Sequence, residues 1–210
     1  MKKTKGLWFV LILILILIVS FGFSGCSASS GDGAGAAGSD QPSGEGETLP
    51  GILAQFETTT LTGETVDQSL LNDYDLTMVN VWATFCGPCI NEMPDIATIA
   101  EEYREQGVQV LGLVSDVMAR DGSLDPVQVA LAEDIVEETG AGNYTHLMGN
   151  VSLSGLLSQI YAVPTTFFVD SEGNQVGSAY VQALTEEQFR TIIDETLGLV
   201  TGSEAAEEVQ

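Results

Sequence analysis

Trp82-Ala83-Thr84-Phe85-Cys86-Gly87-Pro88-Cys89 joins two different residue patterns. Up to it, Met78 to Ala83 reads as an apolar strand. After it, Ile90, Met93, Ile96, Ala97, Ala100 and Tyr103 recur at helical spacing. Cys86 therefore stands at a helix start, where unpaired N–H groups and the helix dipole favour negative charge. A thiol there is the better thiolate, and the thiolate is the species that attacks disulfides. Cys89 follows one turn later and can close a ring with Cys86. Such a pair can exchange two electrons and two protons with another dithiol. Two other readings stay open on spacing alone, a structural disulfide and half of a zinc site. Structural zinc takes four ligands, and only His146 and Cys26 could join the pair.

The patterns on either side predict an α/β domain. Phe56 to Leu61 and Val66 flank a Gly-containing turn and read as a hairpin, and Ser69-Leu70-Leu71 as a helical turn. Leu76 to Ala83 has the continuous apolar character of a buried central strand. The cysteine helix should run to about Gln106, with a kink at Pro94, and Val108 to Val114 is the next strand. Asp125-Pro126-Val127-Gln128 marks a helix start, with Asp125 as cap, Pro126 at the first position and Gln128 completing a capping box. Val127, Ala130, Leu131 and Ile135 are its expected apolar face, and Gly140 its stop. Tyr144–Met148 reads as a strand, Leu153–Tyr161 as a short helix, and Thr165–Asp170 as a strand. That strand turns at Gly173-Asn174 into Gln175–Val181. Thr185 with Gln188 caps a last helix whose face is Phe189, Ile192, Ile193 and Leu197. The order β-β-β-α-β-α-β-α-β-β-α implies a mixed central sheet with helices on both faces.

The ends of the 210-residue chain read differently. Lys2, Lys3 and Lys5 precede an apolar run from Leu7 to Val19, the n-region and h-region of an export signal. Phe23-Ser24-Gly25-Cys26 resembles the lipobox of bacterial lipoproteins, with Phe23 departing from the Leu, Val or Ile preferred there. Residues 1–26 are thus expected to be a lipoprotein signal whose Cys26 takes the lipid. An uncleaved signal anchor is the alternative, and both place the domain outside the cytoplasm. Residues 27–50 are Ser, Gly and Ala with a few acids, a flexible tether. Residues 51–200 are one domain with one core, and residues 201–210 are an acidic tail expected to be disordered.

After Cys26, three arginines (Arg104, Arg120 and Arg190) face thirty acids, a formal −27. Nucleic-acid binding is excluded, because phosphate contacts need clustered Lys and Arg. The surface is either simply solvated and self-repelling or selective for basic and neutral partners. With Cys26 assigned to lipid and two cysteines in Cys86-x-x-Cys89, none is left for a structural disulfide framework.

Taken together, Trp82-Ala83-Thr84, Cys86-Gly87-Pro88-Cys89, Asn91-Glu92-Met93-Pro94 and Val163-Pro164-Thr165-Thr166-Phe167 resemble the thioredoxin superfamily. The resemblance is to its TlpA/ResA-like branch of membrane-tethered thiol–disulfide oxidoreductases and covers about Leu53 to Leu199. It implies a thioredoxin-like fold with an N-terminal β-hairpin extension. The chain departs from that branch in having Phe85 for Trp and Ile90 for a Lys or Arg. It also has Asn80 at the strand position where cytoplasmic thioredoxins carry an aspartate that handles the second cysteine's proton.

The resemblance makes Cys86 the nucleophile, Cys89 the buried resolving thiol and the two together a redox-active disulfide. Glu92, three residues after Cys89 and on the same helix face, would accept the Cys89 proton in place of the missing aspartate. Its plainer reading is a surface acid at a helix start. Pro164 would be cis and face the dithiol, with Val163 before it pairing with a substrate strand; a rigid turn proline is the alternative. Trp82, Phe85, Gly87, Pro88, Val163 and Thr165 are the expected substrate contacts, although core packing suits Trp82 as well. His146 reads as structural. No cofactor and no metal are expected.

Gly-Pro between the cysteines matches reducing thioredoxins. The expected activity is therefore reduction of exported protein disulfides, apocytochrome c or a methionine sulfoxide reductase among the substrates that the resemblance suggests. Electrons would come from a membrane donor of the CcdA/DsbD type. A disulfide-forming oxidase and a non-catalytic peptide-binding module are the alternatives.

Overall fold

The hairpin is β1 (Glu57–Thr59) and β2 (Thr65–Asp67), antiparallel with Thr58 opposite Val66, in a computed structural model that describes residues 51–202. The leader, Cys26, the linker and the acidic tail beyond Gly202 lie outside the described residues. Among those described, no helix is long and apolar enough to cross a membrane. After the hairpin, Gln68–Leu71 form a 3₁₀ turn capped by Asp67. The rest builds a five-stranded sheet in the order β5-β4-β3-β6-β7.

Strand β3 (Leu76–Trp82) is buried at every residue because it is central and covered on both faces. It runs parallel to β4 (Val108–Val114), which runs parallel to β5 (Thr145–Met148). On its other side β3 is antiparallel to β6 (Thr165–Val169), and β6 to β7 (Gln175–Tyr180). The period of two divides β3 between two cores. Leu76, Met78 and Trp82 face one way, Val79 and Val81 the other.

Four helices cover the sheet: α1 (Gly87–Tyr103), α2 (Pro126–Thr139), α3 (Ser154–Leu157) and α4 (Glu186–Thr201). They are not shared evenly. Met93, Ile96 and Ile99 of α1, Ala132 and Ile135 of α2, and Phe189 and Ile193 of α4 all pack against the Met78 and Trp82 face. The opposite face is closed by Leu53, Phe56 and Leu71 with Leu153 and Leu156, so among the described residues the four-residue α3 is the α-helix on that side. Helix α1 is continuous through Pro94 and passes into a 3₁₀ turn at Arg104–Gln106.

Two details of α2 differ from the sequence reading. Asp125 caps it by accepting from the N–H groups of Val127 and Gln128, but Gln128 makes no reciprocal capping bond. Its amide Nε2 instead donates to Thr84 and Asp116, at 3.4 Å each. The helix packs Ala132 and Ile135 inward, with Val129 and Val136 partly buried, and leaves Val127, Ala130 and Leu131 of the expected apolar face exposed. At α4 the capping box of Thr185 and Gln188 is complete in both directions.

Gly173 closes the β6–β7 turn with φ +78°, and its carbonyl accepts from Leu53 N at 2.9 Å. A Cβ there would lie 2.5 Å from the Leu53 carbonyl carbon, which is backbone and cannot rotate away. Gly173→Ala is expected to cost about 1–2 kcal/mol for the left-handed backbone and about 1–3 kcal/mol more for overpacking. The urea midpoint should fall by about 1 M or more; an unmoved midpoint would contradict the close approach of Leu53.

Candidate active site

Cys86 is the N-cap of α1, with an extended backbone (φ −90°, ψ 92°). Its carbonyl accepts from Ile90 N at 3.1 Å and its Sγ accepts from Cys89 N at 3.3 Å. The sulfur thus occupies the place of a capping oxygen, where a free backbone donor meets it. Pro88 sits in the first turn, where no intrahelical N–H is required of it. Cys86 and Cys89 form a disulfide with a Cα–Cα distance of 5.3 Å. Cys86 is 5% exposed and Cys89 fully buried, so only the first sulfur is reachable, between exposed Phe85, Gly87 and Pro88.

The loop before Cys86 is braced from a distance. Thr84 donates from its N–H to both Asp116 oxygens (3.1 and 3.0 Å) and from its hydroxyl to Oδ2 at 2.6 Å. Gln128 joins this contact from α2. No local sequence signal marks Asp116 or Gln128 as belonging to the site, because they lie 32 and 44 residues from Thr84.

Glu92 is buried, 4% exposed, so it is not a surface acid. Oε1 accepts from Asn80 Nδ2 at 2.9 Å and Oε2 from Leu184 N at 2.9 Å. Burial pushes the carboxyl pKa up to about 7, against the lowering effect of the Leu184 and Asn80 hydrogen bonds, and the negative charge of Asp95 adds to the rise. Asn80 also donates from Nδ2 to Thr166 Oγ1 at 3.1 Å, bridging β3 to β6 beside the acid.

The Val163–Pro164 bond is cis and Pro164 is buried. Val163 is half-buried and lines a groove of about 470 Å³ with Phe85, Leu157, Ile160 and Tyr161. Phe85 and Tyr161 are the two most exposed large hydrophobic side chains described, 77% and 84%. Tyr161 and Ile160 were not legible as site residues, since nothing in their local pattern sets them apart from a helix end. Two expected substrate contacts take other places. Trp82 is completely buried, edge-on to His146 with ring centres 5.8 Å apart, so it is core and cannot touch a substrate. Thr165 is also buried and donates its hydroxyl to Ala162 O at 2.7 Å, so its side chain serves the turn. Of the zinc candidates, the two sulfurs bond each other, His146 Nε2 meets the Ala141 carbonyl at 3.0 Å, and Cys26 lies outside the described residues.

Known proteins align with this arrangement. A thiol-disulfide oxidoreductase ResA from Oceanobacillus iheyensis is 31% identical over 117 residues, covering 52% of this chain and 54% of that relative, so the alignment spans about half its length. A ResA from Bacillus cereus is 26% identical over 134 residues, covering 64% and 70%. Among solved structures, a DsbF homologue from Corynebacterium diphtheriae superposes with a TM-score of 0.56 at 21% identity, covering 77% of this chain and 99% of that one, a likeness of fold. The family model described as Redoxin matches residues 37–193, the span that holds the dithiol, Glu92 and the cis proline, and on that match the chain belongs to the Redoxin family.

Proposed function

We propose that the domain is a thiol–disulfide oxidoreductase that reduces disulfides of exported proteins. The observation that carries this reading is the pairing of one reachable sulfur at a helix N-cap with a buried partner sulfur one turn below. In the reduced protein the Cys86 thiolate attacks a substrate disulfide. One substrate sulfur leaves as thiolate and a mixed disulfide forms. Cys89 gives its proton to the Glu92 carboxylate and attacks Cys86 Sγ, releasing the second substrate sulfur. Two electrons have passed to the substrate, and the protein is left as the Cys86–Cys89 disulfide. A base with pKa about 7 suits a thiol of ordinary pKa about 8.5 better than a glutamate near 4.5, because proton transfer weakens as the two values separate.

The groove between Phe85 and Tyr161 supports docking of an extended segment with apolar residues beside its cysteine, with Val163 offering backbone to it. The acidic surface favours basic or neutral substrates. The leader pattern and the lipobox-like Cys26 support placement on the outer face of a bacterial cell membrane through lipid. A reductase there needs electrons from across the membrane, and resemblance favours a donor of the CcdA/DsbD type. Apocytochrome c or a methionine sulfoxide reductase are the substrates to test first.

Equilibration against glutathione buffers tests the direction. The expected potential lies near the reducing end of the superfamily, about −270 mV. A value above about −180 mV would make the domain an oxidase.

A further inference from the structure

Among the described residues, four buried side-chain polar atoms have no hydrogen-bond partner: Asn80 Oδ1, Trp82 Nε1, Tyr144 OH and His146 Nδ1. They are neighbours. Asn80, Gly112 and His146 are in register across β3, β4 and β5. The imidazole lies over Gly112, where a Cβ would come within 2.3 Å of Nδ1. Only glycine leaves that notch open, and through it His146 Nδ1 reaches across β4 toward Asn80, whose strand is about 4.8 Å further on. The Tyr144 ring lies 4.3 Å from the imidazole and the Trp82 ring 5.8 Å.

Their hydrogen-bonding roles complement one another. The Ala141 carbonyl can only accept, so His146 Nε2 carries the proton and Nδ1 is a bare acceptor. Asn80 Oδ1 is a second acceptor, Trp82 Nε1 a donor, and the Tyr144 hydroxyl either. Buried water makes about three hydrogen bonds and gathers where such atoms converge.

We propose that Tyr144 and His146 are positioning residues for Glu92, holding a shared buried water against Asn80 Oδ1 and so fixing the amide whose other end bonds the Glu92 carboxyl. The inference rests on the role given to Glu92 above. The charge of Glu92 reaches the Tyr144 phenol, whose pKa it helps raise after burial. Burial also pushes His146 down to about 4, against the Ala141 hydrogen bond, so it stays neutral while Glu92 titrates. The groups around Glu92 are then Asp95 and Cys89 on its own helix, Tyr144 just before β5 with His146 against its ring, Asn80 from β3, and the Leu184 N–H.

The test follows the carboxyl ¹³C shift of Glu92 against pH in the oxidised full-length protein. Tyr144→Phe deletes one oxygen and keeps the ring. The midpoint is expected to rise by about half a unit or more, since an Asn80 amide no longer held by the water donates less well to the carboxylate, and that hydrogen bond lowers its pKa. His146→Leu should shift it the same way. A midpoint that stays within about 0.1 unit in folded Tyr144→Phe protein would overturn the proposal, even if the denaturation midpoint moved, because a purely structural role changes only the latter. If His146→Leu does not fold, Tyr144→Phe alone decides. No substrate enters this measurement. A wild type inactive towards disulfides would therefore sink the proposed activity and leave the coupling standing.

Discussion

Cys86→Ser reduces insulin disulfide cleavage by at least about 10³-fold, to the background of the chemical reductant, because a serine hydroxyl offers no thiolate at neutral pH. Cys89→Ala behaves differently. It keeps the attacking sulfur and stops after the first step, accumulating a mixed disulfide that can be isolated with its partner attached. The contrast follows from burial, since a substrate reaches Cys86 at 5% exposure and not Cys89 at 0%. Losing the disulfide also costs stability. Cross-linking residues three apart removes about 2 kcal/mol of chain entropy from the unfolded state, so the proper reference for the mutant's fold is the reduced wild type. If Cys86→Ser protein, folded like that reference, kept its activity, the domain would be a binding module and the chemistry assigned to the dithiol would be wrong.

Glu92→Gln is expected to lower the rate of mixed-disulfide resolution by about 10²-fold, the lower part of the range for a positioned general base. It should also erase the inflection near pH 7 from the rate profile, since glutamine cannot take the Cys89 proton. Stability should respond in the opposite sense. The carboxyl pKa is raised from 4.5 unfolded to about 7 folded, so between those values the native state holds more proton than the unfolded state. Stability of the wild type then falls as pH rises from about 4.5 to about 7 and stays low above. The full difference corresponds to about 3 kcal/mol, less whatever hydrogen bonding glutamine fails to reproduce. Glu92→Gln should flatten that slope and be the more stable protein at pH 8. Denaturant midpoints at pH 5 and pH 8 check this, and equal slopes in the two proteins would show that Glu92 titrates as an ordinary surface acid. On the role proposed for Glu92, the stability given up at neutral pH is what a base matched to the Cys89 thiol costs.

Those two residues were not equally legible. The role of Cys86 is local. A strand pattern, a turn and a helix pattern place it at an N-cap within a few residues, and chain neighbours alone supply the N–H groups around its sulfur. Asp125 and Thr185 are legible for the same reason, since a cap bonds two or three residues ahead. Glu92 could be marked as a candidate only by its helical offset from Cys89 and by resemblance. Its burial comes from tertiary packing, which raises the pKa, while the hydrogen bonds from Asn80 on β3 and from Leu184, 92 residues away, offset part of that rise. The misreadings have a common cause. Gln128 looked like a capping partner because the pattern fits. Its amide instead donates to Thr84 and Asp116, and the helix seats Ala132 and Ile135 in the core, so that Val127 and Leu131 point outward. Trp82 adjoins the dithiol in the chain and so suits substrate contact as well as core packing; strand alternation sends it into the core.

What the amino-acid order settled without help is whatever depends on periods of 2 and 3.6 and on bonds a few residues long: the element sequence, the helix caps and the dithiol at a helix start. The tertiary fold decided which polar groups are removed from water and which meet across strands. Those two things set the proton affinity of Glu92, the notch at Gly112 and the groove between Phe85 and Tyr161. Solvation and long-range hydrogen bonding depend on who the neighbours are in space, and chain order carries that only through the packing of the whole domain.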